Sequence, residues 1–353
     1  MTSLRVRPKM AAEKLGHLRE DASEIGGMQT PWGDFPVRDA HAHLFTRRFF
    51  ETMAGLAAPG RLAGPDPVEN LAEKIGLEIP AERGGAAARW GRELQERGVE
   101  ATVLMGSIPG EIDEVAEAVE ALGGRCIGYA MVDPTKPDAP KHIARMRECG
   151  LRGVAYFPAM HGYRISDEAI RPALDAVRDS GLVAFVHFGL LRLGLRDKLG
   201  AGCPFDLNYA NPIDLHTVAL TYPEVTFQIP HFGCGFFREV LLLGAQVSNV
   251  VLDTSSSNSW IKTQAPGITL EEVFARALDV YGPERILFGT DSSVFPRGCR
   301  SDIFEEQVGI LEKLGVTADE AAGVLGENLA RFTGSFPNGP RKQLIHRSTS
   351  ETF

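Results

Sequence analysis

The stretch Asp39-Ala40-His41-Ala42-His43-Leu44 sets two imidazoles two residues apart in a short apolar run. Side chains on a strand alternate faces, so on a strand His41 and His43 project together as a rigid pair of nitrogen donors. Such a pair suits a divalent metal when further ligands converge on it. Three other apolar, β-rich runs end in groups of the same chemical kind: His187 in Val186-His187-Phe188-Gly189, His231 in Pro230-His231-Phe232-Gly233, and Asp291 in Gly289-Thr290-Asp291. Each alone has an ordinary explanation as a cap or a satisfied polar group. Their recurrence at the same end of four strands points to a metal site with an acid–base group beside it.

The elements that must carry these residues are legible as alternating patterns. Strands are expected at 37–45, 101–105, 127–132, 153–157, 183–187, 225–229, 250–253 and 286–289. Helical spacing is expected at 111–122, 140–149, 167–180, 212–221, 236–243, 270–281 and 302–314, with Ser166 as an N-terminal start and Gly181 as a stop for the third. Strands alternating with helices pair in parallel through right-handed crossovers. Eight such units, with no G-x-G-x-x-G after the first strand, predict an α/β chain folded as a (β/α)8 TIM barrel, whose site opens at the C-terminal strand ends. The expected organisation is an N-terminal extension over 1–36 with one short helix at 9–21, and a barrel over 37–332. Within the barrel, 46–98 forms a helical insertion or lid, and an arm follows over 333–353.

Composition narrows the class. The 353 residues are 44% hydrophobic and 24% charged, as in a soluble globular protein. A formal charge of −9 argues against nucleic acid as a partner, since that surface needs a basic stripe. Five cysteines with no C-x-x-C pair imply free thiols and a reducing compartment. Met1–Arg7 lacks an apolar signal-peptide core, and no apolar run reaches the roughly 18 to 20 residues of a membrane span. The expectation is a cytoplasmic protein with no membrane partner.

With these motifs in order, the chain resembles the amidohydrolase superfamily, in the metal-dependent barrel branch related to aminocarboxymuconate-semialdehyde decarboxylase. The resemblance runs from about Val37 to Phe332. It rests on the His41/His43 motif, Val186–Gly189, Tyr222-Pro223-Glu224-Val225 leading into His231-Phe232-Gly233, Arg285–Asp291, and Gly326-Glu327-Asn328-Leu329-Ala330-Arg331-Phe332. It implies that His41, His43, His187 and Asp291 hold one divalent metal, zinc first, with manganese or iron as alternatives. It implies that His231 stands beside the metal in proton transfer or carbonyl polarisation, and that Asp291 moves the water proton. The fourth strand, Gly153-Val154-Ala155-Tyr156-Phe157-Pro158, lacks the lysine that bridges two metals in many relatives, which implies a mononuclear site. Relatives also suggest a homodimer. Two departures, Ser292-Ser293 after Asp291 and the 1–36 extension, bear on substrate rather than fold.

The partner expected is a small molecule, a carboxylic acid. Arg47 and Arg48, directly after the first strand, are candidates to grip its carboxylate in bidentate fashion, as is Arg297. Arg300 shares the loop of Arg297, and His161 and Trp260 are further candidates to line the site. Cys203, Cys234 and Cys299 fall in loops at the same face, without an assigned role. The leading expectation is hydrolysis of an ester, lactone or amide bond by metal-activated water. The alternatives are a non-oxidative decarboxylase of an aromatic or enoic acid on the same ligands, and a non-catalytic binding barrel.

Overall fold

A computed structural model describes residues 27–62, 64–255 and 260–335. The expected helix at 9–21 and most of the C-terminal arm lie outside the described residues. A small antiparallel hairpin comes first, β1 (Met28–Thr30) with β2 (Gly33–Phe35), an element that the scattered charge and glycines of the extension did not signal.

Eight parallel strands follow and pair in chain order. They are β3 (Arg38–Leu44), β4 (Ala101–Gly106), β5 (Cys126–Met131), β6 (Gly153–Tyr156), β7 (Val183–Val186), β8 (Phe227–Ile229), β9 (Val250–Asp253) and β10 (Ile286–Leu287). Backbone bonds from the amides of Ala40, Asp291 and His43 to the carbonyls of Phe288, His41 and Ser292, each 2.8 Å, join the last strand's continuation to the first. The fold is a TIM barrel of the α/β class.

Two-sided burial explains the near-continuous apolar strands. Val103 and Met105 on β4, Ile127, Tyr129 and Met131 on β5, and Val183 and Phe185 on β7 fill the barrel interior. Their neighbours Leu104, Ala130, Ala184 and Val186 face the surrounding helices. On β3 this alternation is broken by a register shift between Asp39 and Ala42. Ala40 joins the interior cluster whereas Ala42 and Leu44 join the outer one. A bulge of this kind re-aims side chains, and here it turns His41 and His43 inward.

The helices fall near their expected positions, as at Ile112–Leu122, Ala139–Glu148, Phe237–Gln246, Leu270–Tyr281 and Ser301–Lys313. One start differs: Ser166 caps nothing, and the helix Arg171–Ser180 begins instead behind a short turn at Glu168–Ile170, with a proline in its first turn. Pro172 has no amide hydrogen to satisfy and tolerates only the first turn, which fixes the start there. Gly181 does end that helix, in the left-handed conformation.

Between β3 and β4 stand three helices, Arg47–Gly55, Pro67–Ile75 and Gly85–Arg97. Thr46 and Asp66 cap the first two by accepting backbone N–H bonds. Phe49, Phe50, Met53, Val68 and Leu71 form a satellite core that also takes in Leu199, from the segment after β7. Glu78 bridges to Phe295, after β10, through a 2.9 Å backbone bond. The three helices are thus tied to segments that leave the C-terminal ends of two other strands.

Candidate active site

His41 and His43 arrive from β3 and Asp291 from the turn after β10. The Asp291 carboxylate lies 3.7 Å from Nε2 of His41 and 3.2 Å from Nε2 of His43. Each residue offers a ligand atom within 4.8 Å of the other two. The opposite ring nitrogens are occupied: His43 Nδ1 meets Ser107 Oγ at 2.9 Å, and His41 Nδ1 meets Asp253 Oδ2 and Ser255 Oγ, each at 3.0 Å. Ser107 is held in turn by the buried Glu111, which accepts the N–H groups of Ser107 and Ile108 at 2.7 and 3.0 Å and the hydroxyl of Thr46. Inner nitrogens pointed at one carboxylate, with the outer nitrogens fixed by support residues, are the donor set a divalent cation requires.

His187, at the end of β7, lies outside that 4.8 Å group. Its ring stacks on Phe157 at 5.4 Å and meets the ring of His231 edge-on at 5.2 Å. Its Nδ1 is buried without a hydrogen-bond partner among the described residues, an orphaned donor or acceptor of the kind a ligand satisfies. Gly189 adopts φ 75°, and a Cβ there would come within 2.2 Å of the carbonyl oxygen of Cys234. Only glycine lets the segment after His187 lie against the one after His231.

His231 stands 4.8 Å from His41, ring to ring, with Nδ1 at 2.8 Å from Ser255 Oγ and 3.0 Å from the Ser255 carbonyl. His231, Phe232, Cys234 and Asp291 all occupy the left-handed backbone region, with φ between 46° and 57°. Non-glycine residues reach that region at a cost and remain there only where the surroundings over-determine them. Here the Asp291 amide is held by the His41 carbonyl and the His231 amide by Asp253 Oδ1 at 3.2 Å.

The electrostatics follow from this crowding. Burial alone would raise Asp291, but its hydrogen bond from His43 and the charges of His41 and His231 hold it below the ordinary carboxylate range. Asp253 is likewise pulled down to about 2, its burial outweighed by His41. Burial opposes a proton on His41, yet Asp253, Asp291 and Asp39 together raise it to about 9. His187 is pushed well down by burial and by the neighbouring imidazoles. His231 moves down for the same reasons. On Asp39 burial prevails over the hydrogen bonds from Thr290 and His41 and raises it to about 6.

The residues considered for substrate contact separate. Arg47 pairs with Glu51, Asp66 and Glu69 at 3.2, 3.7 and 3.4 Å, all within the three-helix segment. Arg48 donates to the Gly110 carbonyl at 2.7 Å. Arg300 is held by Asp302 through two bonds of 2.8 and 2.6 Å. Arg297 is exposed and donates to Ser293 Oγ at 2.7 Å, with no ion pair among the described residues. His161 is half-buried, its Nδ1 without a partner among the described residues. Trp260 is buried with Phe232 and Phe237 in the layer outside the barrel. All five cysteines are free, and none belongs to a metal-capable group among the described residues. Sequence reasoning missed Asp253, Gln228, Ser255 and Ser107; only Asp253, closing β9 as His187 and His231 follow β7 and β8, carried a readable signal.

The family model for amidohydrolases matches residues 38–334. The chain belongs to the amidohydrolase family. It is therefore a metal-dependent enzyme of that superfamily, which leaves the non-catalytic barrel without support. No curated protein matches this amidohydrolase. Among solved structures it is similar to the 5-carboxyvanillate decarboxylase LigW from Sphingomonas paucimobilis, with TM-score 0.60 and 15% identity over 85% of this chain and 99% of that one. It is similar to a putative 2-pyrone-4,6-dicarboxylic acid hydrolase from Pseudomonas putida, with TM-score 0.54 and 17% identity over 86% and 98%. A third is a mutant of a 5-carboxyvanillate decarboxylase from Novosphingobium aromaticivorans, with bound manganese and 3-methoxy-4-hydroxy-5-nitrobenzoic acid; its TM-score is 0.55 and identity 15%, over 84% and 95%. The cover of nearly the whole of each neighbour describes a shared barrel.

Proposed function

We propose that this amidohydrolase hydrolyses an ester, lactone or amide bond in a small carboxylic acid, using one divalent metal, zinc or manganese, held by His41, His43, His187 and Asp291. The observation that carries the reading is the placement of the Asp291 carboxylate 3.7 and 3.2 Å from two inward Nε2 atoms, whose charges and hydrogen bond favour its ionised form. When bound, the metal supplies Lewis-acid polarisation of a carbonyl and acidifies water. Asp291, already a carboxylate, accepts the proton of the attacking water and returns it to the leaving group. His231 presents Nε2 to the substrate, since its Nδ1 is engaged by Ser255.

Arg297 anchors the substrate carboxylate. Arg47, Arg48 and Arg300 are committed to protein partners, whereas Arg297 meets only a serine hydroxyl among the described residues and sits in the loop that follows Asp291. The three helices between β3 and β4 act as a lid over the mouth, supported by their ties to the segments after β7 and β10. A decarboxylase reading is favoured by the likeness to the two 5-carboxyvanillate decarboxylases. It needs Asp291 or His231 to bring a proton to carbon without first taking one from an attacking water, a poorer match to a carboxylate held below the ordinary range.

The test is a panel of small carboxylic acids offered to protein loaded with zinc or manganese, with bond opening and carbon dioxide release followed in parallel. Bond opening without carbon dioxide is expected, with KM raised about a hundredfold in Arg297→Met, the order of a lost charge-assisted contact. Carbon dioxide release as the sole product would replace hydrolysis by the second reading.

A further inference from the structure

Asp253 and Ser255 form a buried pair whose protons the mechanism above leaves unassigned. Asp253 receives five donors. His41 Nδ1 and the Gln228 amide meet Oδ2 at 3.0 and 2.9 Å; the N–H groups of His231 and Ser255 meet Oδ1, each at 3.2 Å, with the Ser255 hydroxyl. Only an acceptor on both oxygens satisfies them, so the Ser255 hydroxyl proton points at Asp253. Its oxygen then has only acceptor capacity left for its other two neighbours, Nδ1 of His231 at 2.8 Å and Nδ1 of His41 at 3.0 Å. The Ser255 carbonyl, 3.0 Å from His231 Nδ1, can also only accept.

We propose that Asp253 and Ser255 are positioning residues that hold a proton on Nδ1 of both His41 and His231, so that each ring keeps its Nε2 for the barrel mouth. One fixture thereby prepares a metal ligand and a proton-transfer group at once. The inference deepens the metal-centre reading and rests on it for the role of each Nε2, though not for the tautomers themselves. An amide cannot replace Asp253: its NH2 face must meet donors whichever way it turns. A methyl group at 255 leaves Asp253 short of a donor and removes one of the two acceptors facing each Nδ1, leaving Asp253 Oδ2 to His41 and the backbone carbonyl of residue 255 to His231.

The experiment uses full-length protein, labelled with nitrogen-15 at histidine and freed of metal, with His231 assigned by its loss in His231→Gln. Nitrogen–proton correlations at mildly alkaline pH are expected to show His231 neutral with its proton on Nδ1. In Ser255→Ala, which keeps the backbone carbonyl but loses the hydroxyl, the signal should move part of the way toward the two-tautomer average, and Ser255→Thr should restore it. Zinc affinity, by competition with a chromophoric chelator, should fall about tenfold in Ser255→Ala and about a hundredfold in Asp253→Asn. A wild-type His231 carrying its proton on Nε2 would overturn the proposal. So would a Ser255→Ala protein with wild-type circular dichroism and Tm whose tautomer signal and zinc affinity are both unchanged. A wild type that keeps the Nδ1 proton but binds no zinc would instead sink the metal-centre reading alone.

Discussion

At the scale of single residues, the site is a competition between protons and a cation for the same nitrogens. His41, raised from 6.5 to about 9 chiefly against its burial by the charge of Asp253, carries a second proton at neutral pH in the metal-free protein. A metal must expel the Nε2 proton, so zinc affinity is expected to rise about tenfold per pH unit between pH 7 and 9 and then level off. Zinc titrations across that range check it. The metal-free protein should show the opposite trend: the His41–Asp253 pair stabilises fully below about pH 6.5 and is lost as pH rises through about 9. The ligand types were legible in the sequence because His-x-His and strand-end residues are local patterns. The supports were not, because Ser255 reaches His41 across 214 residues and Ser107 reaches His43 across 64.

At the scale of elements, the loop bearing Asp291 and Arg297 is clamped by the helix Gly85–Arg97. Glu93, 3% exposed, accepts from Arg89 at 2.9 Å, from Arg97 at 3.1 Å and from the Cys299 amide at 3.2 Å. The Arg89 guanidinium lies 4.0 Å over the Phe295 ring, and Trp90 meets the same ring edge-on at 5.1 Å. Removing Glu93 takes a partner from two arginines and one amide, although Arg89 keeps Glu78 at 3.1 Å. Glu93→Ala is therefore expected to lower the unfolding free energy by about 2 kcal/mol, less than for a wholly buried pair because Arg97 is 47% exposed. Urea denaturation with wild type in parallel checks this. The barrel strands are readable as short β-branched runs, whereas the helix Arg47–Gly55 is marked only by its Thr46 cap and the pair Phe49, Phe50, too short a signal to set its bounds within 46–98.

At the scale of the whole molecule, burial sets an alkaline limit. Burial raises the Cys126 thiol from 9.0 to about 12. Its folded value lies above its unfolded one, so its contribution is intact below about pH 9 and is lost as pH climbs toward 12. Stability should fall by about 1.4 kcal/mol per pH unit in that window from this group alone. Cys126→Ala should flatten the slope by that amount, as read from denaturation midpoints at pH 9 to 10.5. The overall architecture was open to inference because every βα unit repeats one pattern. The β3 bulge was not, since a register shift leaves no mark in residue type.

The last strand of the barrel is only two residues long, and beyond it the union with β3 is made by backbone bonds at Ala40, His43 and Asp291. The seam of the barrel therefore runs through the site, and a cation gripped by His41, His43 and Asp291 would staple the first strand to the segment after the last. A growing chain cannot assemble this centre until its final βα unit has been made. Competence for chemistry thus reports completion of the fold, with no half-built barrel able to sequester metal through this set.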